Sequence, residues 1–311
     1  MAFNAKKLIN LFLDGKAELT RLAYSKDLED FRVFVKAGTV EGAVTRLLGG
    51  SHAQGQEQLA RYLSDMKRRR DLGSATINRR LSTLRSLGKQ SRILGLVPWV
   101  LEAANVRHEY VRDTRGPGME NVIKLVRYLE ALPKDKPALR DLAIIRLMTD
   151  LALRRGAIVR LDMADYRSAS REILVREKGK RSKQPRALSA AANKALAAWV
   201  GVRGPHSGAL FVNFDLIHHS KTGKRITGSA VYGIVRSRAA EAGIKGPIRP
   251  HGIRHTAIVM AGVINAKAGR GLDTLKDFSG HADVRTLQLY MDKQRDVSAE
   301  LTEGVSTLIN R

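Results

Sequence analysis

The sequence contains no cysteine among its 311 residues. Disulfide bonds, thiolate nucleophiles and cysteine-ligated zinc sites are therefore excluded. Acidic residues are also scarce, since 30 Asp and Glu stand against 55 Lys and Arg, which gives a formal net charge of +25 at pH 7. Because a chain this basic repels itself unless a polyanion neutralises it, the composition favours nucleic acid as a partner over an anionic membrane surface. The basic residues are spread through segments with folded-looking patterns, which favours a shaped nucleic-acid surface over a charged tail.

Long apolar runs and a secretion signal are missing as well. No run approaches the ~20 residues that span a bilayer, and the stretch Met1–Lys7 lacks the apolar core of a signal peptide. The sequence therefore predicts a cytoplasmic protein without a membrane partner which, in a bacterium, has access to the nucleoid. Hydrophobic residues make up 43% of the chain, enough for packed cores, and the length predicts two domains.

Apolar residues at helical spacing predict that about the first 110 residues are helical. Ser74 is typical of an N-cap for one helix that runs to Leu94. Because its leucines share one face and its basic residues lie mostly on the others, this helix either lies along a DNA groove or presents a solvated basic face. The leucines are Leu81, Leu84 and Leu87, and the basic residues are Arg79, Arg80, Arg85, Lys89 and Arg92.

A short polar segment rich in turn-forming residues, Asp113–Gly118, predicts a linker. We therefore expect a helical, DNA-binding N-terminal domain at 1–112, a linker at 113–118 and a second domain at 119–311. Helical periodicity also dominates the second domain. We expect a mainly α fold in both domains, with one small β-hairpin in the second.

The hairpin is predicted from two short strands, Ile173–Val175 and Ala187–Leu188. The turn between them, Lys178–Lys183, is strongly basic. At the other end of this domain, about twenty residues follow Tyr290, and their apolar residues predict an amphipathic tail helix that needs a groove to pack in. These apolar residues are Val297, Leu301, Val305 and Leu308.

Several residues able to act on a phosphate recur along the second domain. His251 and Arg254 stand three residues apart, so a helix would place them on one face. His281 and Tyr290 follow, each after a predicted helix or within one. Upstream, an apolar helix leads to an arginine and the hairpin turn carries a lysine. These two residues are Arg154 and Lys178.

Such a set suits cleavage of a phosphodiester by a tyrosine. The transition state spreads negative charge over the phosphate oxygens, and arginine binds them best because it is planar, always charged and bidentate. A tyrosine has a pKa near 10, so attack needs a neighbouring histidine to accept or hold its proton. A lysine over the phosphate can protonate the leaving oxygen. A covalent phosphotyrosine conserves the bond energy, and no ATP, cofactor or metal is needed.

The order of these residues resembles the tyrosine recombinase, or phage integrase, family from about residue 135 to 293. The stretch Leu153–Leu161 is similar to the first-arginine motif, and Lys178–Lys180 to the hairpin lysine motif. Pro250–Thr256 is similar to the second-arginine box, and Gly280–Tyr290 to the final box. The N-terminal part is similar to the helical core-binding domain of this family. Residues that echo its first helix are Thr20, Tyr24, Leu28 and Phe31.

The resemblance implies a role for each residue. Arg154 and Arg254 would bind the scissile phosphate, and His281 would donate a hydrogen bond to it. Tyr290 would attack to give a 3′-phosphotyrosine. His251 would act as general base or acid beside this nucleophile. In the same scheme the leaving 5′ oxygen would be protonated by Lys178.

Some positions have competitors. Arg155 lies beside Arg154, but the spacing to Leu161 favours Arg154. Lys180 and Lys183 share the turn with Lys178, which alone fits the place before the glycine of the motif. Two further tyrosines of this domain, Tyr166 and Tyr232, are predicted to pack or to contact DNA.

One position departs from the family. Its members usually have an acidic residue three positions after the first arginine, where this chain has Ala157. A zinc site is not expected, although His251 and His255 stand four residues apart, because no nearby carboxylate or cysteine completes a ligand set. His255 is instead predicted to fix its helix against the domain.

The resemblance further implies a C-shaped, two-domain clamp around double-stranded DNA that carries specific recombination sites. It implies a homotetramer on two sites and strand exchange through a Holliday junction. The tail helix would dock on its own domain or on a neighbouring subunit. Two alternatives remain open on the residues alone: a type IB topoisomerase-like enzyme that nicks and reseals one strand, and a non-catalytic DNA-binding relative.

Overall fold

A computed structural model describes residues 3–107, 116–177, 180, 182–214, 223–246 and 248–280. These residues form twelve α-helices and one three-stranded antiparallel sheet, which confirms the prediction of a mainly α chain with a small β element. The chain divides into two compact units, Met1–Val111 and Arg112–Arg311. In the part of the chain that the structure describes, every helix is too short or too polar to cross a membrane.

The first unit is helical throughout, and side-chain caps begin several of its helices. Asn4, Thr39 and Ser51 each accept a hydrogen bond from a backbone N–H in the first turn of the helix that follows. Its helices are α1 (Ala5–Asp14), α2 (Glu18–Phe34), α3 (Val40–Leu48), α4 (His52–Ser64), a π-helical turn (Asp65–Arg69) and α5 (Ser74–Ile93). Its core includes Leu8, Phe31, Leu47, Tyr62, Leu81 and Leu84.

Helix α5 differs from its prediction at the first residue. Gly73 is the N-cap and makes no side-chain cap, so the expectation that Ser74 caps the helix is wrong. The leucine face is buried as predicted, but three of the arginines on the other faces bind within the unit. Arg79 and Arg80 pair with carboxylates of α2, and Arg85 donates to the carbonyl of Ala103.

The second unit places its helices around α7, most of whose residues are buried. Its elements are α6 (Met119–Ala131), α7 (Lys136–Asp150), α8 (Arg155–Val159), a 3₁₀ turn (Met163–Asp165), β1 (Tyr166–Arg167), β2 (Glu172–Val175), β3 (Gln184–Ala187), α9 (Ala190–Arg203), α10 (Gly228–Glu241), α11 (Pro250–Lys267) and α12 (Leu272–Ser279). The sheet order is β1-β2-β3, with Ile173 opposite Tyr166 and Arg186. Its core includes Leu125, Ile144, Leu147, Ile173, Leu196, Trp199, Phe211 and Ile253.

Two backbone turns in the second unit place the segments that carry the candidate site. After α7, Ala152 is fully buried with φ 49°, a left-handed conformation that is unfavourable for a residue with a Cβ. The chain reverses there, and Arg154 becomes the N-cap of α8. At the end of α12, Gly280 adopts φ 58° and closes the helix with a bond to the carbonyl of Lys276.

Candidate functional site

Helix α11 begins with a proline at its first position and carries two of the predicted residues on its first turn and a half. His251 is exposed, whereas Arg254 is only 3% exposed. Arg254 donates through Nη1 to the carbonyl of Ala152, and through Nη2 to that of Ser279 at 2.5 Å. These bonds join three distant segments of the chain: the turn after α7, the start of α11 and the end of α12.

Arg154 reaches the same place from the start of α8. Its Nη1 donates to the carbonyl of Gly280 at 3.1 Å and to Oε2 of Glu177 at 2.8 Å. Because Arg154 and Arg254 hold successive carbonyls, 280 and 279, their guanidinium groups are neighbours. The structure thus brings together two of the arginines that the sequence predicted for phosphate binding.

A third arginine, which was not predicted from the sequence, binds the same backbone segment at the end of α12. Arg186 lies on β3 and donates to the carbonyls of Asp277, at 2.6 Å, and Phe278. Burial lowers the pKa of Arg186, and the charges of Glu177 and Asp277 counteract this. Three arginines from three segments therefore bind four successive carbonyls, 277–280, immediately before His281. An arginine on an edge strand was the only sequence signal, and it resembles any solvated charge.

Beside these groups lies an open pocket of about 370 Å³. None of the described residues that line it is acidic. The lining residues are Arg154, Arg155, Gly156, Tyr232, Arg249, Pro250, His251 and Arg254. A concave surface with four guanidinium groups and no carboxylate among these residues matches the charge and hydrogen-bonding needs of a phosphodiester.

His251 lies within this positive field. Partial burial of the ring, together with the charges of Arg254 and Arg154, lowers the pKa of His251 below its ordinary 6.5. The imidazole is therefore neutral at pH 7, and a neutral imidazole can accept a proton from a phenol. The low pKa suits the general-base role more directly than the general-acid role.

The second histidine of α11 is structural. His255 is 5% exposed, and its Nδ1 accepts a hydrogen bond from the backbone N–H of Gly116 at 3.4 Å. A Cβ on Gly116 would collide with Thr256 and with the carbonyl of Gly252, so only glycine fits there. Within the described residues, no group of three His, Asp or Glu side chains could hold a metal ion.

The remaining predicted site residues, Lys178, His281 and Tyr290, lie outside the described residues. Their neighbours in the chain are informative, because Lys178 follows Glu177 and His281 follows Gly280. One competitor of Lys178 is engaged elsewhere, since Nζ of Lys183 forms an ion pair with buried Asp165 at 2.6 Å.

Tyr166 and Tyr232, two further tyrosines of this unit, have different surroundings. The hydroxyl of Tyr166 donates to Oδ1 of Asn193 at 2.9 Å, which is a packing role. Tyr232, in contrast, lines the basic pocket. No sequence pattern separates the two, because both stand in plain helical or strand patterns.

Comparisons with known proteins agree with this geometry. The model of the phage integrase family matches residues 120–296. Tyrosine recombinase slr0733 of Synechocystis sp. is 32% identical, over 98% of this chain and 96% of that protein. Tyrosine recombinase XerC of Pseudomonas aeruginosa is 28% identical over 68% of this chain and 71% of its own length.

Among solved structures, the Tn1549 transposon integrase in complex with circular intermediate DNA has a similar fold, with a TM-score of 0.64 and 15% identity over 97% of this chain and 99% of that one. The family match covers more than half of the chain and includes the arginines, the histidines and the tyrosine predicted from sequence. The relative in Synechocystis extends the similarity over nearly the whole length. The chain therefore belongs to the phage integrase family and is a tyrosine recombinase.

Proposed function

We propose that this recombinase cuts and rejoins specific sites in double-stranded DNA through a 3′-phosphotyrosine formed by Tyr290. The observation that carries the proposal is the meeting of Arg154 and Arg254, from segments 100 residues apart, beside a pocket without acidic lining among the described residues. A metal-independent phosphoryl transfer needs such a pair to hold the non-bridging oxygens. The DNA-bound state of the transposon integrase with a similar fold supports DNA as the substrate.

In the proposed reaction the phenolic oxygen of Tyr290 attacks phosphorus and gives up its proton, which neutral His251 is poised to accept. Arg154 and Arg254 stabilise the charge on the phosphate oxygens, with His281 as a further donor. The bond to the 5′ oxygen breaks, and Lys178 supplies the proton to that leaving group. A 5′ hydroxyl of another strand then reverses the steps, which exchanges strands through a Holliday junction.

The decisive test is covalent capture of DNA. Sheared genomic DNA from the source organism is incubated with the chain, the mixture is denatured in detergent, and the DNA that stays bound is sequenced. A duplex carrying the recovered site, nicked beside the cleavage position, should then trap a stable complex. We expect Tyr290→Phe to abolish trapping while DNA binding persists. Tyr232→Phe, the matched control in the pocket, should still trap DNA.

The same substrate separates the alternatives. A type IB topoisomerase-like enzyme would relax supercoiled plasmid efficiently but would not exchange flanks between two plasmids that carry the site. A non-catalytic relative would bind the site without trapping it. The filled arginine and histidine positions favour catalysis, and recombination between two sites would exclude both alternatives.

For assembly, we propose a homotetramer on two DNA sites, joined through the predicted tail helix. An apolar groove runs between α6, α7, α11 and α12, as two adjoining cavities of about 430 and 300 Å³ that share Ala257 and Met260. Ile264 lies along it and is 66% exposed. The apolar face of the tail, with Leu301 and Val305, is the proposed occupant, contributed by a second copy.

A negative charge placed in the groove or on the tail tests whether the two bind each other. Ile264→Asp, and separately Leu301→Asp, should leave binding of one site intact but prevent formation of the four-subunit complex, as measured by light scattering on DNA. Leu19→Asp, on the first unit at 81% exposure, is the control and should assemble normally. Normal assembly of both test variants would show that this groove does not join subunits.

A further inference from the structure

The first arginine of the site lacks the acidic neighbour that the family usually supplies. That position is Ala157, the third residue of α8, which is 4% exposed. A methyl group can neither accept a hydrogen bond nor balance a charge. A carboxylate that orients Arg154 must therefore come from another element.

Glu177 brings a carboxylate to Arg154 from the sheet. It follows β2 by two residues, and its Oε2 accepts from Nη1 of Arg154 at 2.8 Å. Its side chain is only 8% exposed, whereas that of Arg154 is 29% exposed. A carboxylate so deeply buried is costly unless a cation and hydrogen bonds compensate it, so the pair has a defined geometry rather than the loose one of a surface ion pair.

The end of α12 completes the contact. The same Nη1 of Arg154 donates to the carbonyl of Gly280, and a Cβ on Gly280 would lie 2.7 Å from Cδ of Glu177. Glu177 therefore packs against both the guanidinium of Arg154 and the backbone of Gly280, the residue before His281. Arg186 contributes a further positive charge, which interacts with that of Glu177.

This arrangement leaves the rest of Arg154 available. Both of its hydrogen bonds use Nη1, and among the described residues its Nε and Nη2 have no partner. Arg154 also lines the basic pocket, so these nitrogens are the ones left to bind a phosphate there. The carboxylate fixes one edge of the guanidinium and thereby aims the other.

We infer that Glu177 is a positioning residue for the recombinase reaction, and that it supplies from the hairpin the carboxylate that α8 lacks at Ala157. The inference rests on the proposed function. It has a structural consequence: Arg154 is fixed by the residue that immediately precedes Lys178.

The test compares four variants on the nicked duplex described above. Glu177→Gln removes the charge but keeps the shape, and should slow formation of the covalent complex by about 10- to 100-fold. Binding of the uncleaved site should change by no more than about threefold, because the loss falls on the transition state. Glu172→Gln is the matched control, since its half-exposed carboxylate lies on β2 and faces Arg167 at 3.7 Å; it should cleave normally.

A relocated carboxylate gives the sharper readout. In the E177Q background, Ala157→Glu should recover at least about tenfold of the lost rate, whereas a merely structural role for Glu177 would gain nothing from it. Ala157 is 4% exposed, so the double variant is checked for folding by thermal unfolding before its rate is compared. Glu177→Asp keeps the charge and should lose less than E177Q, which protects the test if E177Q folds poorly by thermal unfolding.

The outcomes are distinct. A folded E177Q variant that cleaves as fast as the unmodified chain would overturn the role of Glu177 and leave the recombinase function standing. Faster cleavage would do the same and would show that Glu177 competes with phosphate for Arg154. An unmodified chain that never traps the DNA it binds would overturn the proposed function, and this inference with it.

Discussion

The arginines that face α2 in the first unit and those at the end of α12 in the second unit are held in different ways. Around α2 the partners are carboxylates: Arg79 lies 2.5 Å from Asp27, and Arg70 and Arg80 each lie 2.7 Å from Asp30. In the second unit, Arg154, Arg186 and Arg254 bind backbone carbonyls at the end of α12. A carbonyl fixes a guanidinium without cancelling its charge, whereas a carboxylate cancels it.

This difference separates structural charge from functional charge. The net charge of +25 does not say which cations are available to a phosphate. On α5, Arg79 and Arg80 are occupied by α2, which weakens the idea that this helix presents all of its arginines to DNA. In the basic pocket, Glu177 is the carboxylate partner of the lining residue Arg154, and it binds one edge of that guanidinium.

The largest expected effect comes from replacing one arginine by lysine in each unit and comparing the two variants. Arg254→Lys should slow covalent-complex formation by about 10²- to 10³-fold, because lysine cannot hold two carbonyls and a phosphate oxygen at once. Arg80→Lys should leave the rate of the folded protein unchanged and cost on the order of 1 kcal/mol of stability. Single-turnover trapping and urea unfolding measure the two effects. Equal slowing by both variants would erase the distinction between the units.

The pH dependence of cleavage tests whether the positive charges around His251 keep its imidazole neutral. Because burial and the charges of Arg254 and Arg154 lower the pKa of His251 below 6.5, its neutral form persists to a lower pH than that of an ordinary histidine. If His251 is the general base, the trapping rate should stay level around pH 7 and fall as the pH drops through the lowered pKa. His251→Gln should be slow and should lack this acid limb. An unchanged acid limb in H251Q would assign the titration to another group.

Two carboxylates of α2, Asp27 and Asp30, should contribute differently to stability at neutral pH. Burial raises the pKa of Asp27, although Thr83 and two arginines offset part of this. Asp30 is also partly buried, but hydrogen bonds from Arg70 and Tyr62 outweigh burial and lower its pKa below 3.8. The lowered pKa means that the charged form of Asp30 stabilises the fold at neutral pH, and that this contribution is lost as the pH falls below about 3.8.

Asp30→Asn should therefore cost about 2–4 kcal/mol at pH 7, and Asp27→Asn clearly less, because Asp27 gains less from its charge. Urea unfolding at pH 7 and pH 3 measures both variants, and the deficit of D30N should shrink at the lower pH. A larger cost for D27N than for D30N would contradict the assigned pKa directions. Neither variant should slow trapping by folded protein.

The smallest effect concerns the backbone that Arg254 binds. Ala152 is held at φ 49°, whereas Ala143 lies in regular α7, and both are fully buried. Changing either to glycine removes the same methyl group, but only Ala152→Gly relieves an unfavourable backbone conformation. Ala152→Gly should be at least about 1 kcal/mol less destabilising than Ala143→Gly by urea unfolding. Equal costs would show that the turn is not strained.

Much of the fold was predictable because its signals are local. Periodicity identified α5 to within a residue of its observed ends, and it predicted the mainly helical second unit, because an apolar stripe at helical spacing is typical of a helix packed on a core. The first residue of α5 was predicted wrongly, because a serine near a helix start fits as a cap or as a first-turn residue. The short strand β1 was not predicted, because two residues are too few to show the alternation of buried and exposed side chains in a strand.

The sequence by itself determined the family and predicted Arg154, His251 and Arg254 as site residues, because motif order and residue chemistry are written along the chain. Only the tertiary structure decided which partners those side chains meet. Glu177 contacts Arg154 across 23 positions and Arg254 contacts Ala152 across 102, and no local pattern encodes such pairs. They follow from the packing of α7, α11, α12 and the sheet, which brings charged side chains from distant segments together.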